Sequence, residues 1–132
     1  MKSFNLKVVT PDGLIFDSPV ESLLVRTDDG DVEFLAGHID YMASLGTGRA
    51  RIKVDGKDKF AAVSGGFVTV KGGEVSLVAI TFEFRENIDL ARAKNALDEA
   101  KATLSSSSDD KSIKLAQAKL QRALSRINVA EG

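Results

Sequence analysis

Turn-forming residues cut the first two thirds of the chain roughly every 8 to 12 residues, a spacing that suits short antiparallel strands and leaves no room for long helices. Pro11-Asp12-Gly13, Asp28-Asp29-Gly30, Gly46-Thr47-Gly48 and Lys71-Gly72-Gly73-Glu74 supply the preset or positive φ that tight turns need. Asp55-Gly56 is the two-residue loop best suited to a type I′ hairpin. Between the turns, Phe4, Leu6 and Val8 alternate with Asn5, Lys7 and Val9, the period of a half-buried strand. Further extended runs fall at Leu14–Phe16, Val20–Arg26, Asp31–Leu35, Tyr41–Leu45, Arg51–Val54, Lys57–Val63, Phe67–Val70 and Val75–Ala79. Ser18-Pro19 and Ser64-Gly65-Gly66 read as breaks between them, and Ala36–Asp40 as an ordered loop. A parallel sheet is not expected, because its crossovers need about a dozen residues and usually a helix. The pattern predicts an antiparallel sandwich or barrel over residues 1–86.

The pattern changes after Asn87. Leu90, Ala93, Leu97, Ala100 and Leu104 recur at helical spacing, and Ile113, Ala116, Leu120, Ala123 and Ile127 do so again beyond the run Ser105–Asp110. Two single-stripe helices joined by a short polar turn predict an antiparallel hairpin over 87–132. Its seam is rich in alanine, which buries little area, so the hairpin needs support from the strands or from a partner. That makes it a candidate moving part.

The chain of 132 residues has a formal net charge of -1, which gives no concentrated basic surface for nucleic acid or an anionic membrane. No cysteine is present, excluding disulfides, thiolate metal sites and cysteine nucleophiles. Met1–Asn5 lacks an apolar signal-peptide core and no eighteen apolar residues run together, so a soluble, non-exported protein is expected. His38 is the only histidine and no G-x-S-x-G elbow accompanies it, so no catalytic residues are assigned and the chain is not expected to be an enzyme. Asp31, Glu33 and Asp40 lie near His38 in sequence, but without a second histidine or a thiolate no metal site is assigned. Gly46-Thr47-Gly48-Arg49 and Ser64-Gly65-Gly66 lie between strands, not between a strand and a helix as a phosphate loop requires, and read as turns.

The helices hold a richer constellation. Asp89 and Arg92 share a face at the start of the first, and Arg122 and Arg126 share a face near the end of the second. Antiparallel packing brings these ends together, placing arginine forks suited to phosphate beside a carboxylate suited to a base or ribose. The simpler reading is a helix cap with ordinary solvated charges.

Several segments in fixed order also carry a family resemblance: Val9-Thr10-Pro11-Asp12-Gly13, Gly30-Asp31 leading into Phe34-Leu35-Ala36-Gly37-His38, Val63-Ser64-Gly65-Gly66-Phe67, and Ile88-Asp89-Leu90-Ala91-Arg92-Ala93. Together with the alanine-rich hairpin, they make essentially the whole chain resemble the epsilon subunits of bacterial F-type ATP synthases. The resemblance implies a sandwich of about ten strands followed by the helical hairpin. It implies a non-catalytic rotor subunit that couples ion transport to ATP synthesis, peripheral to the cytoplasmic face of the bacterial cell membrane. The implied partners are the gamma subunit, met at His38, the c ring, met at Asp31, and the alpha and beta subunits when the hairpin extends and inhibits ATP hydrolysis.

Some members of that family bind ATP in the folded hairpin through I/L-D-x-x-R-A and arginines of the second helix. Here Ile88, Asp89, Arg92, Ala93, Arg122 and Arg126 match, with Glu83 at an acidic position of such members. No cofactor is obligatory; ATP is the implied regulatory ligand. Asp98 and Glu99 stand where such members often carry a further arginine, a departure that weakens phosphate binding. The alternative from another class is a stand-alone sandwich that binds a small molecule or carbohydrate, but the chain has one tyrosine and no tryptophan to line such a site.

Overall fold

The hairpin turns form where the sequence places them. In the computed structural model, which describes residues 2–132, Asp55 and Gly56 both take positive φ, 51° and 76°. That is the conformation a type I′ turn demands. Eight strands result: β1 Phe4–Thr10, β2 Gly13–Val20, β3 Ser22–Thr27, β4 Gly30–Leu35, β5 Tyr41–Ser44, β6 Gly48–Val54, β7 Lys57–Lys71 and β8 Glu74–Phe84. A single 3₁₀ turn, Arg85–Asn87, leads into α1, Leu90–Ser106, and α2, Asp110–Glu131.

The strands form one hydrogen-bonded path, β2-β1-β8-β7-β6-β3-β4, with β5 added to β7. The path becomes a sandwich because β7 and β8 serve both layers. The first half of β7 pairs with β6, and the second half with β5. At the change of partner the inward-facing positions switch parity, from Ala61 and Val63 to Val68 and Val70, and on β8 from Val75, Leu77 and Ala79 to Phe82 and Phe84. Strand side chains alternate with period two, so such a switch needs an irregular step. Gly65 and Gly66 provide it at φ 71° and 94°, and a Cβ on Gly66 would collide with the Val78 carbonyl.

Four expectations are corrected here. Ser64-Gly65-Gly66 is a kink inside one continuous strand, not a turn between two. Eight strands replace about ten for this reason: counted layer by layer, β7 and β8 each appear twice. Ser18-Pro19 lies within β2, where Pro19 faces Asn5 across the ladder. A proline is tolerated there because β2 is an edge strand. Finally, β1 pairs with β8 in parallel, Leu6 beside Val75 and Val8 beside Leu77. No crossover helix is needed, because the rest of the sandwich forms the connection.

Phe34, Leu6, Leu23, Ile52 and Leu77 are fully buried between the layers. The helices lie outside this core. Ala62, on the outward face of β7, is buried although it stands apart from the core cluster, and α2 packs over β6 and β7 there. The helix seam is formed by Ala93 and Ala100 of α1 and Ala116 and Ala123 of α2, all buried. Asp89 caps α1 by accepting from the Arg92 N–H, and Asp109 caps α2 by accepting from the Ser112 N–H. A Lys94–Glu131 ion pair at 3.5 Å joins the start of α1 to the end of α2.

Candidate ligand cleft and contact surfaces

Glu83, near the end of β8, and Arg85, the first residue of the 3₁₀ turn that follows, both reach the helices. Glu83 accepts a short charged hydrogen bond, 2.5 Å, from Arg126 Nε of α2. Beside this pair, β8, the β1–β2 turn and the first turns of α1 enclose a cleft of about 460 Å³. Glu83, Asp89, Arg92, Ala93 and Arg126 all line it. Five of the seven residues predicted for the site therefore meet at one cavity.

Arg122 stands elsewhere. It lines an adjoining cleft of about 340 Å³ between α1 and α2, together with Glu99, Lys119 and Arg126. Ala96 and Arg126 border both clefts, so the two are neighbours. Ile88 lines neither and is half-buried, with its N–H donating to the Arg85 carbonyl at the end of the 3₁₀ turn. The helix hairpin divides the charge: Asp12, Glu83 and Asp89 join Arg92 and Arg126 in the first cleft, while Lys119, Arg122 and Arg126 outnumber Glu99 in the second. A ligand with hydroxyl or amine donors at one end and phosphate at the other matches that division.

The sequence reading missed Thr10, Asp12 and Lys119. The first two reach the cleft from the β1–β2 turn, which no local signal links to the helices. Lys119 was legible, because it lies three residues before Arg122 on the same helical face.

The other predicted residues lie on the sandwich. His38, in the loop after β4, packs edge-on against Phe34 at 4.9 Å and near Tyr41 at 5.9 Å, and its Nδ1 lies 2.7 Å from the Ile39 carbonyl. Around it Leu35, Ile39 and Met42 are exposed, Met42 to 72%. Asp31, at the β3–β4 turn, pairs with Arg26 at 2.8 Å. Glu33 pairs with Arg51, and Asp40 accepts from the Gly72 N–H. The carboxylates near His38 in sequence are thus engaged elsewhere. No cluster of three or more metal-ligating groups occurs among the described residues.

Comparison with known proteins bears on both parts of the fold. Residues 3–85 match the beta-sandwich domain of the ATP synthase delta/epsilon chain, and residues 86–131 match its long alpha-helix domain. The chain belongs to the ATP synthase delta/epsilon chain family. It is 44% identical to the ATP synthase epsilon chain of Bacillus subtilis (strain 168) and 42% identical to that of Bacillus velezensis, over 130 residues and 98% of each chain. A chain in the cryo-EM structure of the Euglena gracilis mitochondrial ATP synthase, comprising OSCP, F1 and c-ring, superposes with TM-score 0.84 at 27% identity, covering 98% of this chain and 82% of that one. A chain from the central stalk and c-ring of the Tetrahymena thermophila mitochondrial ATP synthase shares the fold at TM-score 0.70 and 10% identity, covering 98% and 97%. As an epsilon-type chain the protein is a non-catalytic stalk subunit, peripheral to the membrane complex. Among the described residues no helix is long and apolar enough to cross a membrane.

Proposed function

We propose that this stalk subunit docks on the gamma subunit, rests on the c ring at the cytoplasmic face of a bacterial membrane, and uses its hairpin as an ATP-sensing brake on ATP hydrolysis. The observation that carries the regulatory part is the cleft between sandwich and hairpin, where Glu83 and Asp89 stand beside Arg92 and Arg126. A ligand bound there touches β8, α1 and α2 at once, so it binds only the seated hairpin and shifts the population toward it. Freed from the sandwich, the hairpin reaches the alpha and beta subunits and opposes rotation in the hydrolytic direction.

The docking part is supported by the apolar surface near His38. Leu35, Ile39 and Met42 expose large side chains close together in the chain, and Phe67 of β7 adds to them across from Ser44. Exposed apolar groups of that kind mark a protein interface. The β3–β4 turn, with Asp28, Asp29 and the Asp31–Arg26 pair, offers polar loops of the c ring a charged contact. The alternative of a stand-alone sandwich that binds a small molecule or carbohydrate gives way to the family match over both domains.

Amide NMR titration of the subunit with millimolar ATP tests the brake. Shifts at Asp89–Ala93 and at Arg122 and Arg126, lost in Arg126→Ala, are expected; unchanged spectra in these segments would remove ATP sensing. Co-purification with gamma, weakened by Met42→Asp, tests the docking surface separately.

A further inference from the structure

We infer that Arg85 is a positioning residue that seats α2 on the sandwich independently of the ligand cleft. Arg85 Nε donates to the Val129 carbonyl at 2.7 Å. Val129 is fully buried in the last turn of α2, where carbonyls lack helical partners and a positive charge is favoured. The guanidinium also lies 4.6 Å from the centre of the Phe60 ring, which Arg49 approaches at 4.9 Å. Among the described residues Arg85 has no carboxylate partner, and its Nη2 is buried without a hydrogen bond. A merely solvated arginine would not give up hydration in this way. This one is committed to the helix and the ring.

Glu83 and Arg85 therefore grip α2 at successive points of one face, Arg126 and Val129, three residues apart. The two grips answer a ligand differently. Arg126 lines the cleft, so an incoming phosphate competes with Glu83 for its guanidinium. Arg85 lines neither cleft. It holds α2 in register while Arg126 changes partners, and without ligand it sets how often the hairpin leaves the sandwich. The exchange at Arg126 rests on the ATP reading and the opening of the hairpin on the proposed brake; the seating of α2 by Arg85 rests on neither.

The chain has no cysteine, so spin labels at Asp58→Cys and Lys114→Cys report the distance between the β6–β7 turn and α2 by double electron–electron resonance. Without nucleotide, Arg85→Met is expected to raise the ratio of open to seated hairpin on the order of tenfold, as loss of a charge-assisted hydrogen bond gives. Phe60→Leu is expected to shift the same ratio by less. An unchanged distance distribution in Arg85→Met, with the sandwich folded by circular dichroism, overturns the inference. Should Arg85→Met unfold the sandwich, Phe60→Leu decides by the same criterion. Adding ATP to Arg85→Met is expected to restore the seated distance, with an apparent affinity reduced by the factor by which the seated population fell. If wild type and variant both ignore ATP, the ligand reading fails while the nucleotide-free comparison still decides the role of Arg85.

Discussion

Inside the sandwich the side chains withdrawn from solvent are Phe34, Leu6, Leu23, Ile52 and Leu77, whereas between the helices they are Ala93, Ala100, Ala116 and Ala123. Buried apolar area contributes roughly 25 cal/mol per Å², so a seam of methyl groups holds far less firmly than a core of phenylalanine and leucine. The helices meet the sandwich through the buried Ala62 of β7, the fully buried Val129 of α2 and two arginines, Arg85 and Arg126. One chain thus carries a part packed through large side chains and a part packed through small ones. The difference follows from residue size at inward positions, not from helix or strand as such.

The largest effect that tests this contrast is Phe34→Ala. It empties a fully buried site and should cost about 3 to 5 kcal/mol of sandwich stability. Denaturant unfolding followed by strand circular dichroism measures it, and a cost under about 1 kcal/mol would break the contrast from the sandwich side. Next comes Ala116→Leu, which forces extra volume into the helix seam and should cost about 1 to 3 kcal/mol there. Hydrogen exchange should speed up in α1 and α2 while the strand amides keep their protection. Equal acceleration of both would mean that hairpin and sandwich open as one unit.

The smallest effect sharpens the contrast at the ligand. Glu99 lines the cleft that holds Lys119, Arg122 and Arg126, so it offsets the positive charge a phosphate would meet. Glu99→Gln should tighten ATP by roughly two- to fivefold, the range of an exposed charge contact of up to about 1 kcal/mol. Isothermal titration against wild type reads it. A weakened affinity would show that Glu99 assists binding instead of opposing it.

Local chemistry made much of this molecule readable. Asp55-Gly56 specifies its turn because both residues accept positive φ, and Asp89 and Asp109 mark helix starts because a carboxylate satisfies free N–H groups there. The site was legible only as far as helical spacing reaches. Arg122 and Arg126 share a face of one helix, yet nothing in the spacing says that Arg126, and not Arg122, borders both clefts or that Glu83 engages it. Gly65-Gly66 misled for a physical reason, since two glycines permit a turn and a kink equally well. Which one forms depends on whether the neighbouring strands stay paired.

By itself the sequence determined the element types, the turn geometries and the small-residue stripes, since these follow from φ preferences and side-chain periods within a few residues. It also carried the family, through the order of its motifs. The tertiary structure alone decided that β1 lies parallel to β8, that β7 and β8 bridge both layers, and that Asp12 and Arg92 line one cleft. It also decided that Arg85 closes on Val129. Each of these joins residues far apart in the chain, and such contacts depend on how whole faces pack, which no local preference encodes.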